Sequence, residues 1–336
     1  MKLPPLATTG IGSLPRPAWL GRTERTRVEF AVAPEHLQDA CDDATVLALQ
    51  LQEKLGLDLL TDGEQRREGF IFHIAGKWTG IDTKTLGLKQ IYRQRVLNYL
   101  VPRITGRVTR HAPAAVADTR FAKANTDRPI KMAVPGPMTV VDSSLNEHYK
   151  DEAELAMDVA TALNQELLAL QAAGCDVIQI DEPAMTRYHD KLRDFGAAAL
   201  DRCLDGITVP TLVHLCYGYP GTGVPQHHYE YSGVLPELMK TRISGFTVEF
   251  GRSPFDPAVL EACGDRIVVF GCIDPGNSAV PSVDQVKRRI AGVLGHLKPR
   301  QVWLSPDCGL MTISRELAAA KLAVMVEAAA SLRKEV

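Results

Sequence analysis

Eight short apolar runs punctuate the chain, each closing on polar or small residues: 6–13, 57–63, 130–136, 177–182, 211–216, 245–250, 267–273 and 301–307. Runs of this length, rich in Val, Ile, Leu and Phe, read as buried strands. Between them lie amphipathic stretches such as 37–55, 153–173 and 283–297. Within 155–170 apolar residues recur at helical spacing, and Asp151 and Glu152 stand ahead of them as favourable N-terminal charges. Strand–helix alternation repeated eight times predicts parallel strands with helical crossovers, an α/β protein closed into one (β/α)8 TIM barrel. One interval breaks the rhythm. Residues 77–129 are too many for a simple crossover, and 90–97 and 103–109 read as the two strands of a hairpin inserted after the second strand. Its arginines are either a solvated edge or a docking surface for an anionic donor or partner. An alanine-rich helix over 314–334 would close the barrel. With no internal repeat or linker, the expectation is one domain over 1–336.

Composition narrows the class. A net charge of −2 argues against nucleic acid or an anionic membrane as the main partner, leaving room for a local basic patch. No apolar core of signal-peptide length opens the chain and no run approaches a membrane span, so a cytoplasmic protein is expected. Seven cysteines, an odd number, fit reduced thiols rather than a disulfide framework. Cys41, Cys175, Cys203, Cys263 and Cys272 lack polar partners in sequence and read as structural.

The polar residues of interest stand where strands end, the rim on which a barrel builds its chemistry. His214 and Cys216 are two apart on one predicted strand, so their side chains leave the same face before Gly218 and Pro220 end it. Glu249 and Cys308 end two later strands. If these strands are neighbours, an imidazole, two thiols and a carboxylate converge, a donor set suited to Zn2+. The alternative is a core histidine, two inert buried thiols and a salt-bridged glutamate. Structural zinc usually draws on paired cysteines in short loops, whereas three distant strand ends supply these ligands. A metal so placed points to reactivity: a coordinated thiol is deprotonated, and the thiolate is the nucleophile. The implied chemistry is alkyl transfer to sulfur.

These residues sit within a larger pattern. Ile11-Gly-Ser13, Asp62-Gly-Glu64, Pro135-Gly-Pro137, Ile180-Asp181-Glu-Pro-Ala184, His214-Leu-Cys216, Glu249 and Pro306-Asp-Cys308-Gly-Leu occur in that order. Over nearly its whole length the chain resembles the catalytic C-terminal barrel of cobalamin-independent methionine synthase, in its short stand-alone form. The resemblance implies a zinc-dependent methyltransferase that converts L-homocysteine to methionine. It places the zinc ligands on His214, Cys216, Glu249 and Cys308. It places the homocysteine carboxylate on Ile11, Gly12 and Ser13, and the ammonium, rather than the metal, on Glu64 and Asp181. Backbone N–H groups beside a hydroxyl suit a carboxylate, and two carboxylates suit an ammonium.

The departures fall on the side of the methyl donor. Where the family has a folate-stacking tryptophan, a pterin-binding glutamate and a proton-donating histidine, ungapped matching gives Ser143, Arg187 and Gly276. The expected donor is therefore methylcobalamin or a methyl-corrinoid protein rather than methyltetrahydrofolate, with room for an accessory protein. Two other readings stand beside this one. One is thiol alkylation like that of an epoxyalkane–coenzyme M transferase, which two carboxylates beside a sulfonate would disfavour. The other is a non-catalytic, zinc-braced subunit.

Overall fold

Seven of the eight apolar runs form one curled, all-parallel sheet: β1 (Ala7–Thr8), β2 (Lys131–Pro135), β3 (Val177–Asp181), β4 (Thr211–His214), β5 (Gly245–Glu249), β6 (Ile267–Ile273) and β7 (Val302–Pro306). Their order across the sheet is β1-β7-β6-β5-β4-β3-β2. The computed structural model describes residues 2–24, 27–92, 96–217, 231–253 and 255–335. Gly218 and Pro220, expected to end β4, lie outside these residues. The fold is α/β and TIM-barrel-like. The second predicted strand, 57–63, makes no ladder of its own. It lies between β1 and β2 and meets its neighbours through isolated parallel bridges, Thr9 with Leu59, Leu60 with Ile130 and Ser13 with Gly63. A segment that pairs one residue at a time keeps the apolar sequence of a strand without its hydrogen-bond row.

The crossover helices follow their sequence signals. Leu37–Leu55 ends on Gly56, whose φ of 84° is the left-handed stop that glycine adopts without strain. Glu152–Ala172 begins at Asp151, whose side chain accepts from Ala153 N at 2.9 Å. Val283–Leu294 opens with a capping box formed by Ser282 and Gln285. The final helix, Arg315–Leu332, is capped by Ser314. Its Leu322 and Met325 are fully buried in the same core as Leu163, Ile180 and Val248. No described helix is long and apolar enough to cross a membrane. The five cysteines read as structural are buried, and Cys175, Cys203 and Cys272 donate weakly to backbone carbonyls.

Trp78–Tyr92 and Val96–Arg110 form an antiparallel pair, in which 103–109 belongs to the second strand and lies opposite the start of the first rather than opposite 90–97 as expected. The arginines fit the solvated edge rather than the docking surface, each with an acidic partner. Arg103 pairs with Glu147, Arg107 with Asp158, and Arg110 with Glu166 at 2.8 Å. Lys89 Nζ donates to the carbonyls of Val141 (3.0 Å) and Ser144 (2.7 Å) at the end of the helix Pro137–Asp142. These cations fasten the pair to the barrel wall, so they are not a docking surface awaiting an anion. Arg93 and Arg95 lie outside the described residues.

Candidate metal centre and substrate site

His214 is the last residue of β4, and Cys216 follows two residues later on the same face. Glu249 ends β5, the neighbour of β4. Cys308 comes two residues after β7, which β6 separates from β5. One ligand atom from each of these four residues lies within 4.8 Å of all the others, and all four residues are buried. The two sulfurs are 3.3 Å apart.

Two devices hold the four together across the intervening strand. Asp307, next to Cys308, accepts through Oδ1 from the N–H groups of Phe250 (3.2 Å) and Gly251 (2.7 Å). Its Oδ2 accepts from Arg252 N at 2.7 Å. One carboxylate thus clamps the loop that follows Glu249 to the residue that precedes Cys308. It reaches over β6 because position 271 is glycine: a Cβ there would come within 2.5 Å of Asp307 Oδ1. Second, Tyr231 Oη accepts from Glu249 N at 2.7 Å, and Glu249 Oε2 accepts from Tyr217 N at 3.3 Å.

The charge state follows from crowding acids in a dry place. Burial, then Cys216 and Asp307, push Glu249 well above the usual carboxylate range. The hydrogen bond with Cys308, then burial, push the Cys216 thiol well above its ordinary value. Burial disfavours a charged His214, but Asp181 and Cys216 outweigh it and lift the ring to about 10. His214 Nε2 is buried with no hydrogen-bond partner among the described residues. An orphaned imidazole nitrogen beside two thiols and a carboxylate, at this spacing, fits Zn2+.

Asp181 departs from expectation. Its Oδ1 lies 3.0 Å from His214 Nδ1 and 2.8 Å from Gln179 Nε2. It therefore orients the imidazole of the cluster, as the outer carboxylate of a metal-bound histidine would, and that oxygen is not free for an ammonium. Sequence spacing could not show this, because the contact depends on the β3–β4 register that sets Asp181 opposite His214.

The second carboxylate, Glu64, is held at φ 55° and rests against Gly12, where a Cβ would come within 2.3 Å of its Oε1. Buried Arg67 approaches Glu64 Oε1 at 3.3 Å, and Arg16 Nη2 donates to the Glu64 carbonyl at 2.5 Å. Burial raises the Glu64 pKa while Arg67 opposes it, and Asp62 and Asp181 raise it further. Arg67, itself influenced by Glu64, Asp62 and Asp181, is the buried counter-charge of this acidic group. Ile11 and Ser13 are buried on the loop after β1. Leu310 N donates to Ser13 O at 2.9 Å, which ties that loop to the one carrying Cys308. Arg67 went unread in sequence, although the Asp62-Gly-Glu-Gln-Arg-Arg67 run offered a buried counter-charge.

Two further motifs prove to be one device. Fully buried Glu182 accepts from Met138 N (3.0 Å), Thr139 N (2.9 Å) and Thr139 Oγ1 (2.6 Å). It anchors the start of the helix Pro137–Asp142, and Gly136 leaves the room it needs. At that helix's end Ser143 is buried, and Arg187 Nη2 pairs with Asp142 Oδ2 at 2.7 Å. Gly276 N donates to Asp274 Oδ1 at 2.7 Å.

Residues 6–331 match the family described as "Cobalamin-independent synthase, Catalytic domain". A methionine synthase of Sulfolobus acidocaldarius is 32% identical over 98% of this chain and 93% of its own length. One from Saccharolobus solfataricus is 33% identical, covering 99% and 97%. A solved B12-independent methionine synthase from Shewanella sp. W3-18-1, in complex with selenomethionine, is 32% identical. It superposes with a TM-score of 0.92 over 98% of each chain.

Proposed function

Since the chain belongs to the cobalamin-independent methionine synthase family and is thereby a methyltransferase, we propose that it methylates the thiol of L-homocysteine at the His214–Cys216–Glu249–Cys308 cluster. Zinc-dependent formation of methionine is what the family implies, and the four converging ligand atoms are the observation that carries it to these residues. Zinc bound there would supply a deprotonated thiol, the nucleophilic form. The chain's own residues do the rest. Asp181 and Glu64 receive the ammonium, the N–H groups and hydroxyl around Ile11, Gly12 and Ser13 receive the carboxylate, and the buried rim excludes water. The new bond joins methyl carbon to sulfur, and the donor departs with the electrons of the bond it loses. Selenomethionine in the Shewanella relative has the form of a methylated product, which supports an amino-acid acceptor over a sulfonate.

Glu64 touches the acceptor side only, so Glu64→Gln separates the two parts of the site. Its KM for homocysteine should rise, with loss of a charged hydrogen bond costing on the order of 1.5–3 kcal/mol, while bound zinc stays at the wild-type level. Wild-type homocysteine kinetics in this variant, or better turnover of 2-mercaptoethanesulfonate, would move the ammonium elsewhere.

The donor is the finer point. The family normally uses methyltetrahydrofolate, and its description lends no support to a corrinoid donor or partner. What supports a different donor is local. Ser143 has no stacking face, Arg187 is committed to Asp142, and Gly276 has no proton for a leaving nitrogen. General acid catalysis contributes about 10²–10⁴-fold, and cobalt leaves unprotonated. In a donor screen with purified protein, methylcobalamin should outpace methyltetrahydrofolate as mono- or triglutamate. Equal or faster methionine formation from either folate would assign the family's usual donor to this chain.

A further inference from the structure

Lys131 is the first residue of β2 and is completely buried inside the barrel. A buried amine is costly unless its hydrogens have partners, and its recorded partner is specific: Nζ lies 2.7 Å from Gln179 Oε1. Gln179 Nε2 in turn donates to Asp181 Oδ1 at 2.8 Å, and Asp181 Oδ1 meets His214 Nδ1 at 3.0 Å. The row runs across three adjacent strands, β2, β3 and β4.

The direction of each bond matters. The two ends of a glutamine amide have the same shape, so only its partners decide which way it faces. Burial pulls the Lys131 amine down to about 7, but it donates to Oε1 whether charged or not, while the Asp181 carboxylate can only accept, so Oε1 faces Lys131 and Nε2 faces Asp181. Asp181 is thereby held with one oxygen shared between Gln179 and the His214 ring, and Oδ2 is left for an ammonium. A carboxylate on Nδ1 keeps the proton there and presents the Nε2 lone pair to the cluster. Without Lys131 the amide could turn, placing an oxygen against Asp181 and pushing the carboxylate away from the ring.

We propose that Lys131 and Gln179 are positioning residues for the metal centre, acting through Asp181 on His214. The inference rests on the reading of the cluster as a zinc site, and its test keeps the two apart. Zinc affinity would be measured by chelator competition for wild type, Lys131→Met, Gln179→Met, the double variant and Gln179→Glu. Thermal unfolding of each metal-free protein and visible absorption of each cobalt(II)-loaded protein would accompany it.

The single variants should lose about tenfold in zinc affinity, at the low end of the range for outer-shell changes. The double variant should lose no more than Gln179→Met alone, because the row is already broken. Gln179→Glu discriminates best. It gives Lys131 an ion-pair partner but removes the donor to Asp181, so zinc affinity and the cobalt bands should change while metal-free stability does not fall. Zinc affinity within twofold of wild type in Gln179→Met or Gln179→Glu would overturn the proposal, as would losses that simply add in the double variant. If Lys131→Met does not fold, the two Gln179 variants decide alone. A wild-type protein that binds no zinc would instead defeat the functional reading.

Discussion

Cys308→Ala is expected to strip the metal from the protein and end methionine formation. Wild type should carry about one zinc per chain, and the variant less than about a tenth of that, because a four-ligand site rarely survives loss of a thiolate. The structure sharpens the expectation. Cys308 lies 3.3 Å from Cys216 and is the ligand whose neighbour, Asp307, ties down the loop after Glu249. Removing its sulfur leaves a buried imidazole, thiol and carboxylate with too few donors to offset their desolvation. The variant should fold, since alanine fits where a small buried side chain stood and Asp307 is retained. Elemental analysis showing full zinc occupancy would remove Cys308 from the ligand set.

Asp181→Asn should strike both halves of the site. An amide in place of the carboxylate weakens the bond to His214 Nδ1, and outer partners of this kind typically contribute 10–100-fold to metal affinity. Loss of a charge beside the ammonium should cost on the order of 1.5–3 kcal/mol more in transition-state binding. The separation from Glu64→Gln is the useful part: that change should spare zinc, and this one should not. Chelator competition gives the first quantity, and kcat/KM for homocysteine at saturating zinc gives the second. If zinc affinity matched wild type while homocysteine use fell, Asp181 would serve the ammonium alone, as its place in the sequence first implied.

The legible parts of this fold were those that repeat. Apolar runs ending in polar residues marked seven strands within a residue or two, except at β1. The charges of Asp151 and Glu152 marked the start of one helix. The convergence of these four residues was legible because His214 and Cys216 alternate on one strand, while Glu249 and Cys308 each close another. What stayed hidden depends on which strands are neighbours. Residues 57–63 have a strand's composition but sit where the curled sheet meets itself, so bridges replace a ladder. The pairing of Asp181 with His214 requires the β3–β4 register. Lys131 and Gln179 drew no reading in sequence, since a polar residue facing a barrel interior cannot be told there from one at a strand's edge. Arg103 and Arg107 resembled a free basic face because their acidic partners lie more than forty residues away.

Position 271 makes no ligand contact and would escape any survey confined to the residues around the metal. Yet the smallest side chain placed there would strike both the Asp307 carboxylate and the Val248 carbonyl, at 2.5 and 2.6 Å. Every single-base change in a glycine codon that alters the residue adds at least a Cβ. In judging inherited variation, or in choosing positions to randomise when redesigning the enzyme, Gly271 therefore belongs with the ligands. The geometry of the four-residue cluster is inherited partly through a residue whose contribution is the space it leaves.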